Sequence, residues 1–508
     1  MNWLTRWRRP SFVAGGLLLL GGLAVLTVLA YQGSLQRGLE LWTEGRAGEA
    51  LAEFRRQEAQ GEELARLNRL IAEGEVAREE RGPESRRSLL RVSDALATLA
   101  PRSPYKTTAL YQAGRMALAG GDRARGLKLL ETAYRQQPKN QAIANLLLET
   151  LLSSDDHKRL RETARHHLEQ RPDNPLAWYA QGEAERRAGQ DRRALASWNR
   201  GLALFPLRPM LESAIVLAQA QGQGDQARDW LLILRLRYQT ASDGRPLEAW
   251  CVAKGLHDVW AALPADREAG RYAVAFPEFF PPGRQWTYKV RYGIIPLGQL
   301  VVGVRGREEV RRGAGVHEAM RVYYKIDSNP AYRMIIDLHD VYESLIPTHC
   351  LHSLEFKAMG REGEDRNNRI YIFDVDSQRV TVRGFRPNGE IFREELPLAN
   401  QVFDGLSLLF AARRQVRDGR FGPVLTFVDE EVRRTVIRRK GCSQAKVLGR
   451  MQPVVEIHGQ ADYRGIAGLT GEFWGQFSDD QEALPLTARF QIKLGKITLE
   501  LDEVADVR

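Results

Sequence analysis

Hydrophobic and polar positions follow three successive regimes along the chain. From Phe12 to Ala30 the residues FVAGGLLLLGGLAVLTVLA carry no charge, and at about 1.5 Å of rise per residue that length matches the hydrocarbon core of a bilayer. From residue 33 to 262 apolar residues recur at helical spacing, and prolines at 138, 172 and 206 each stand 34 residues from the next. From residue 263 to 508 the period becomes two. Trp286, Tyr288, Val290 and Tyr292 alternate with Thr287, Lys289 and Arg291, as in a half-buried strand. The organisation this predicts is a terminal stub and anchor over 1–31, a helical region over 33–262 and an antiparallel β domain over 263–508.

Within the helical region the inner pattern repeats as well as the period. Before Pro138 the packing positions are Leu110, Ala113, Gly114, Ala117, Gly126, Leu130 and Ala133; before Pro206 the same offsets give Trp178, Gln181, Gly182, Glu185, Ala194, Trp198 and Gly201. The copy ending at Pro172 is degenerate, with Leu148 in place of the small residue and His167 in place of an alanine. Weaker copies carry Gly38, Leu41, Ala50 and Phe54 on one side and Ala218, Ala227, Leu231 and Leu234 on the other. This segment resembles the tetratricopeptide family. The resemblance implies helix pairs stacked into a solenoid with a concave, protein-binding surface, and Trp178, Gly182, Leu110 and Gly114 are its candidate partner-binding residues.

Phe279-Phe280-Pro281-Pro282-Gly283 marks the boundary of the β region. Val322, Tyr324 and Ile326 alternate with Arg321, Tyr323 and Lys325, and Val380 and Val382 alternate with Arg379, Thr381 and Arg383. Pro387-Asn388-Gly389 supplies a hairpin turn into Ile391 and Phe392. Phe490 and Ile492, then Ile497, Leu499 and Leu501, alternate across Gly495. One-sided strands need a cover, and the helical pattern from Val402 to Val416 provides one. FPPGRQWTYKVRYGIIPLGQL at 280–300, DVYES at 340–344, DGLSLLFAARR at 404–414 and the final LPLTARFQIKLGKITLEL resemble the bacterial family called domain of unknown function 3108. That resemblance implies a curved sheet wrapped over a helix, similar to periplasmic lipoprotein carriers, and no catalytic residue. The fold class expected for the whole is multidomain α + β: a transmembrane helix, an α-solenoid of tetratricopeptide-type repeats, and a curved antiparallel sheet, or partly open barrel, packed on a helix.

Arg6, Arg8 and Arg9 precede the apolar stretch with no acidic residue among them, so the positive-inside rule predicts a single-pass protein of the bacterial inner membrane with its body in the periplasm. Val28-Leu29-Ala30 resembles a signal-peptidase site, but the stretch is longer than the usual signal core, which favours an uncleaved anchor. Gly15, Gly16, Gly21 and Gly22 have no G-x-x-x-G spacing and predict no helix dimerisation.

At 508 residues, 43% hydrophobic and 27% charged, the composition is that of a folded multidomain protein. The net charge of +10 does not gather into a basic helix or an aromatic–basic stripe, so nucleic acid is not an expected partner. Cys251, Cys350 and Cys442 have no paired spacing, which excludes a disulfide framework and leaves Cys350–Cys442 as the one candidate bridge.

No motif demands catalysis. His349-Cys350-x-His352 offers three metal-ligating side chains, but strand alternation puts only two on one face. Asp337-x-His339-Asp340 lacks a nucleophile in an elbow motif, and Asp374, Asp376, Asp479 and Asp480 stand where turns are expected, beside Ser377 and Ser478. Arg433, Arg434, Arg438, Arg439 and Lys440 form the densest basic stretch, read as a solvated strand edge with anionic head groups or polysaccharide as the sharper alternative. The expectation is thus a non-enzymatic scaffold without cofactor or metal. Its repeats bind a protein, its N-terminal helix enters the membrane, and its β domain holds a lipid or other apolar ligand lined by Trp286, Tyr288, Tyr292, Phe473 and Trp474. A cell-envelope polysaccharide-acting enzyme with the repeats as targeting module and a structural spacer are the alternatives.

Overall fold

The computed structural model describes residues 36–506 except 60, 62, 81, 205, 238–240, 264–279, 313–314, 333–337, 349–350, 363–364, 375–378, 387, 399–401, 429–430, 462–470 and 493–494. A helical stretch over 36–43 (α1) opens a run of antiparallel helices: α2 (Ala47–Glu58), α3 (Glu63–Glu79), α4 (Pro83–Leu99), α5 (Lys106–Ala119), α6 (Arg123–Gln136), α7 (Gln141–Leu152), α8 (His157–Gln170), α9 (Pro175–Arg187), α10 (Asp191–Leu204), α11 (Arg208–Ala220) and α12 (Gly224–Arg237). Two short helices, α13 (Leu247–Ala253) and α14 (His257–Ala261), close it. Asn140, Asp156 and Asn174 start α7, α8 and α9, each accepting backbone N–H groups of the first turn on its side chain. Pro175 follows Asn174 at the first helical position, where its missing N–H costs nothing.

The expected transmembrane helix over 12–30 lies outside the described residues, and among the described residues no helix is long and apolar enough to cross a membrane. The fold class is corrected accordingly to a helical repeat region followed by a large open β-sheet. Single-pass placement in an inner membrane with a periplasmic body is not supported. The described helices are short and amphipathic: α8 buries Leu160, Ala164 and His167 and leaves a largely charged remainder to solvent.

Two compact units divide the chain, one comprising residues up to Leu129 with Gly384–Ile391 and the other Leu130–Arg383 with Phe392–Arg508. In the first, Phe54 is fully buried over Gly38, Arg115 pairs with the buried Glu75 at 3.0 Å, and Ser93 Oγ donates to the Ala113 carbonyl at 2.8 Å. The buried Asn68 amide holds the turn at 388–391 from both sides, donating to the Gly389 carbonyl at 2.9 Å and accepting from the Ile391 N–H at 3.2 Å.

In the second unit a single 15-stranded sheet has the order β8-β7-β6-β5-β4-β3-β2-β1-β15-β14-β13-β12-β11-β10-β9. Its centre is β1 (Arg284–Tyr292), which pairs antiparallel with β2 (Ile295–Arg312) and with β15 (Gly495–Asp506). Outward on one side lie β3 (Gly315–Ser328), β4 (Leu338–Pro347), β5 (Glu355–Glu362), β6 (Asp365–Asp374), β7 (Arg379–Phe385) and β8 (Ile391–Pro397). On the other side lie β14 (Pro485–Ile492), β13 (Glu472–Ser478), β12 (Arg450–Ala461), β11 (Glu431–Val447), β10 (Pro423–Val428) and β9 (Val402–Phe403). The sheet is open, and its last pair, β9 with β10, is parallel; the wholly antiparallel expectation fails there because β9 reaches β10 through the helix between them.

That helix, α15, spans Ser407–Asp418 and packs on strands from both halves of the sheet, Trp286, Val302, Val322 and Ile346 on one side and Ile437, Val455, Ile457 and Phe477 on the other. It begins later than the Val402–Val416 pattern suggests, because Val402 and Phe403 pair as a strand and Asp404 then turns the chain. Gly419, left-handed at φ 65°, ends it.

Candidate functional site

The space between α15 and the strands facing it contains a cavity of about 330 Å³. Its wall comes from alternate residues of neighbouring strands: Tyr288 and Val290 on β1, Leu300 on β2, Tyr324 and Ile326 on β3, Phe490 on β14 and Ile497 and Leu499 on β15. Leu408, Leu409 and Ala412 of α15 form its floor. Period-two side chains of a curved sheet converge on its concave side, and one helix is too narrow to fill the width between β3 and β12.

Polar groups are few and committed. The Tyr288 hydroxyl donates to the Pro485 carbonyl at 2.8 Å, and burial pushes its pKa above the ordinary phenol range; burial does the same to Tyr324. At the rim, Asp327 pairs with Lys325 at 2.7 Å and with His339 Nδ1 at 3.0 Å. Partial burial pushes the Asp327 carboxyl up, but these two hydrogen bonds outweigh it and leave it below the usual range.

Beneath the helix start, Asp404 has no exposed surface. Its Oδ1 accepts the Leu406 and Ser407 N–H groups at 2.7 Å each, and its Oδ2 accepts Ser344 Oγ at 2.6 Å and Ser353 Oγ. Burial raises the carboxyl pKa, while the two serines and the backbone amides pull against that rise. Arg413, also buried, donates to the Glu482 carbonyl at 2.8 Å and lies over the Trp286 ring at 5.4 Å; burial pushes its pKa down to about 10.

Of the residues expected around an apolar ligand, Tyr288, Phe473 and Trp474 are among those lining the cavity, and the Trp474 ring also packs against Lys496, whose Nζ stands 4.2 Å from the ring centre, and His458. Trp286 lies outside the lining, packed under Arg413, and Tyr292 stands at a strand end opposite Ile295 and Ile497. Sequence reasoning missed Leu408 and Leu409 as lining, although the helical pattern contained them, and it missed the Asp404 network. Its only signal was that Ser344 and Asp404 sit in two separate blocks, DVYES and DGLSLLFAARR.

The residues expected to meet a protein partner occupy packing positions. Leu110 and Gly114 are buried in α5, and a Cβ on Gly182 would collide with the Trp198 indole. Trp178 is half-buried, its indole N–H donating to the Pro172 carbonyl at 2.9 Å with Arg200 over its ring. His167, the misfit of the degenerate repeat, is fully buried. Its Nδ1 meets the Pro138 carbonyl at 3.2 Å and its Nε2 the Asn174 amide at 3.0 Å, so Nδ1 carries the proton.

His349, Cys350, Asp337, Asp376 and Ser377 lie outside the described residues. Cys442 is exposed, with Arg439 donating to its sulfur. Asp340 accepts the Tyr342 hydroxyl at 2.9 Å. Asp480 accepts from Ser478 Oγ and the Glu482 and Ala483 N–H groups, closing a turn. Arg438, Arg439 and Lys440 are exposed on β11 beyond Val436, where the β10 pairing ends, so that at these positions β11 has a strand partner, β12, on one side among the described residues, in keeping with a solvated strand edge.

Fold and site together define a tetratricopeptide-like helical repeat region joined to a β-sheet domain that encloses an apolar cavity under a single helix. Residues 287–502, within the sheet region, match the family described as "Protein of unknown function (DUF3108)". Among solved structures, the chain is similar to MamA 41-end from Desulfovibrio magneticus RS-1 (15% identity over 29% of this chain and 84% of that one, TM-score 0.26). It is also similar to the C-terminal part of a TPR repeat-containing protein from Cytophaga hutchinsonii (13% identity, 44% and 80%, TM-score 0.33). A third is a β-barrel-like protein of the DUF1849 domain from Brucella abortus (11% identity, 44% and 97%, TM-score 0.30). No curated protein matches the chain in sequence.

Proposed function

We propose that this protein is a non-catalytic binding protein whose β domain holds a single apolar chain, of fatty-acyl type, and whose helical repeats engage a protein partner. The cavity carries the reading: about 330 Å³ is within the roughly 300–1,000 Å³ range of small-molecule sites, and the wall is aliphatic and aromatic. Asp327 is the one carboxylate among the described lining residues, already paired at the rim, whereas an enzyme acting on a polar polymer needs converging ionisable groups. For the repeats, the support is their stacked helix pairs, an architecture that presents extended binding surfaces.

The test combines native mass spectrometry of the gently purified full chain with titration of a fluorescent long-chain fatty acid. A co-purifying apolar molecule and saturable probe binding are expected. Ala488 lines the cavity, so Ala488→Trp fills it and weakens probe binding at least about tenfold, equivalent to about 1.4 kcal/mol. A chain that carries nothing and binds no probe, or an Ala488→Trp variant that binds as well as the original, refutes the proposal.

A further inference from the structure

Tyr324 is the exception among the committed polar groups of the cavity. It lies on β3 between Val302 of β2 and Tyr342 of β4, and it belongs to the cavity wall. Its hydroxyl makes no hydrogen bond among the described residues, whereas its neighbours' hydroxyls are taken: Tyr288 donates to the Pro485 carbonyl, Tyr342 to Asp340 at 2.9 Å and Thr487 to Gln476 at 2.9 Å. Tyr324 is half-buried, yet burial pushes its pKa well above the ordinary phenol range, with Tyr288 and Asp404 adding to the rise and Arg413 opposing it. Such a phenol keeps its proton at neutral pH, and the surface it retains is surface of the cavity. A buried hydroxyl without a partner costs free energy, and native proteins leave few of them. Water is a poor partner here, because it needs about two to four polar neighbours and Leu300, Val302 and Leu409 of the lining supply none.

We infer that the Tyr324 hydroxyl is the polar anchor of the cavity, donating to the carbonyl oxygen of an acyl head group, acid or ester, and that it makes the site select acyl compounds over hydrocarbons of the same length. An apolar wall holds both alike, in proportion to the area buried. A phenol that otherwise stays unpaired tells them apart, because only the acyl compound brings an acceptor. The charged groups that Tyr324 senses, Asp404 and Arg413, are opposite in sign, and Asp327 at the rim is paired, so no net charge on the head is called for. A neutral carbonyl suffices, and a carboxylic acid presents the same oxygen. The anchor presupposes the acyl-chain reading of the cavity, but the two are tested apart.

Decanoic acid, methyl decanoate and decane are titrated against the full chain and against its Tyr324→Phe variant, each by displacement of the fluorescent fatty acid, with each protein's own affinity for that probe taken into account. Tyr324→Phe removes a hydroxyl that bonds nothing among the described residues, so without ligand the variant should unfold at the same urea concentration as the original or a higher one. It should bind the acyl compounds about tenfold more weakly, equivalent to about 1.4 kcal/mol, and decane as tightly as the original does. A loss confined to the acyl compounds supports the anchor, in both when the carbonyl alone is read and in the acid alone when the free carboxyl is required. Equal affinities of the two proteins for all three compounds, or an equal loss for decane, overturns the anchor, and the cavity reading still stands if Ala488→Trp weakens binding of all three. An original chain that binds none of the three sinks the cavity reading and the anchor with it.

Discussion

Asp404 shows how one buried carboxylate can serve structure and leave chemistry aside. Its two oxygens accept from the Leu406 and Ser407 amides and from the Ser344 and Ser353 hydroxyls, so the helix start, strand β4 and the segment after it are tied at one point. Removing the acceptor strands four donors away from water, each costing about 1–3 kcal/mol. Asp404→Ala should therefore lower unfolding stability by more than about 3 kcal/mol in a urea titration, while Ser344→Ala costs about 1 kcal/mol, because the carboxylate keeps its other donors. An Asp404→Ala variant that loses less than about 1 kcal/mol would show that the network is not what fixes the helix. The residue types of this cluster were readable in the sequence, but nothing in it joined positions 60 apart.

At the scale of elements, the repeats show how a degenerate copy is repaired. His167 stands where a small residue is expected, yet Pro138 and Asn174 satisfy both ring nitrogens, and Asn174 also bonds Asn145 at 2.8 Å. Burial, reinforced by Arg171 and His166 and opposed by the Pro138 bond and Asp173, lowers the imidazole pKa below its ordinary value. The unfolded chain then takes up a proton at about pH 6.5 that the folded chain still refuses. Stability is accordingly lost as pH falls through that value, with a slope of up to about 1.4 kcal/mol per pH unit until the folded pKa is reached. Urea midpoints at about pH 7 and about pH 5 should separate more for the original chain than for His167→Ala; equal separations would mean that the ring protonates freely in the fold. The helix after the β9 strand teaches the complementary lesson. Hydrophobic period alone extended it back to Val402, but pairing with β10 claimed that residue and Phe403, a tertiary contact overriding a local pattern.

At the scale of the molecule, the β domain closes by bringing its last strand, β15, beside its first, β1, in the middle of the sheet. Ending the chain at Leu494 would strip β15 and expose the edges of both β1 and β14. Loss of soluble monomer and of near-ultraviolet circular dichroism is expected, because unpaired interior edges invite aggregation; a monomeric truncated chain with native spectra would refute this central role. The sequence by itself determined the helical repeat, through the 34-residue spacing of its prolines, and the β region, through alternation and block order, because both are written in local periodicity. It also marked Tyr288 and Phe473 as aromatic strand residues. Long-range pairing alone makes these two face a cavity while Trp286 packs beneath Arg413, and spends Leu110, Gly114 and Gly182 on packing. Strand order and helix placement decide which face of an alternating pattern is filled and which is left open, and that is a property of long-range pairing that local spacing does not carry.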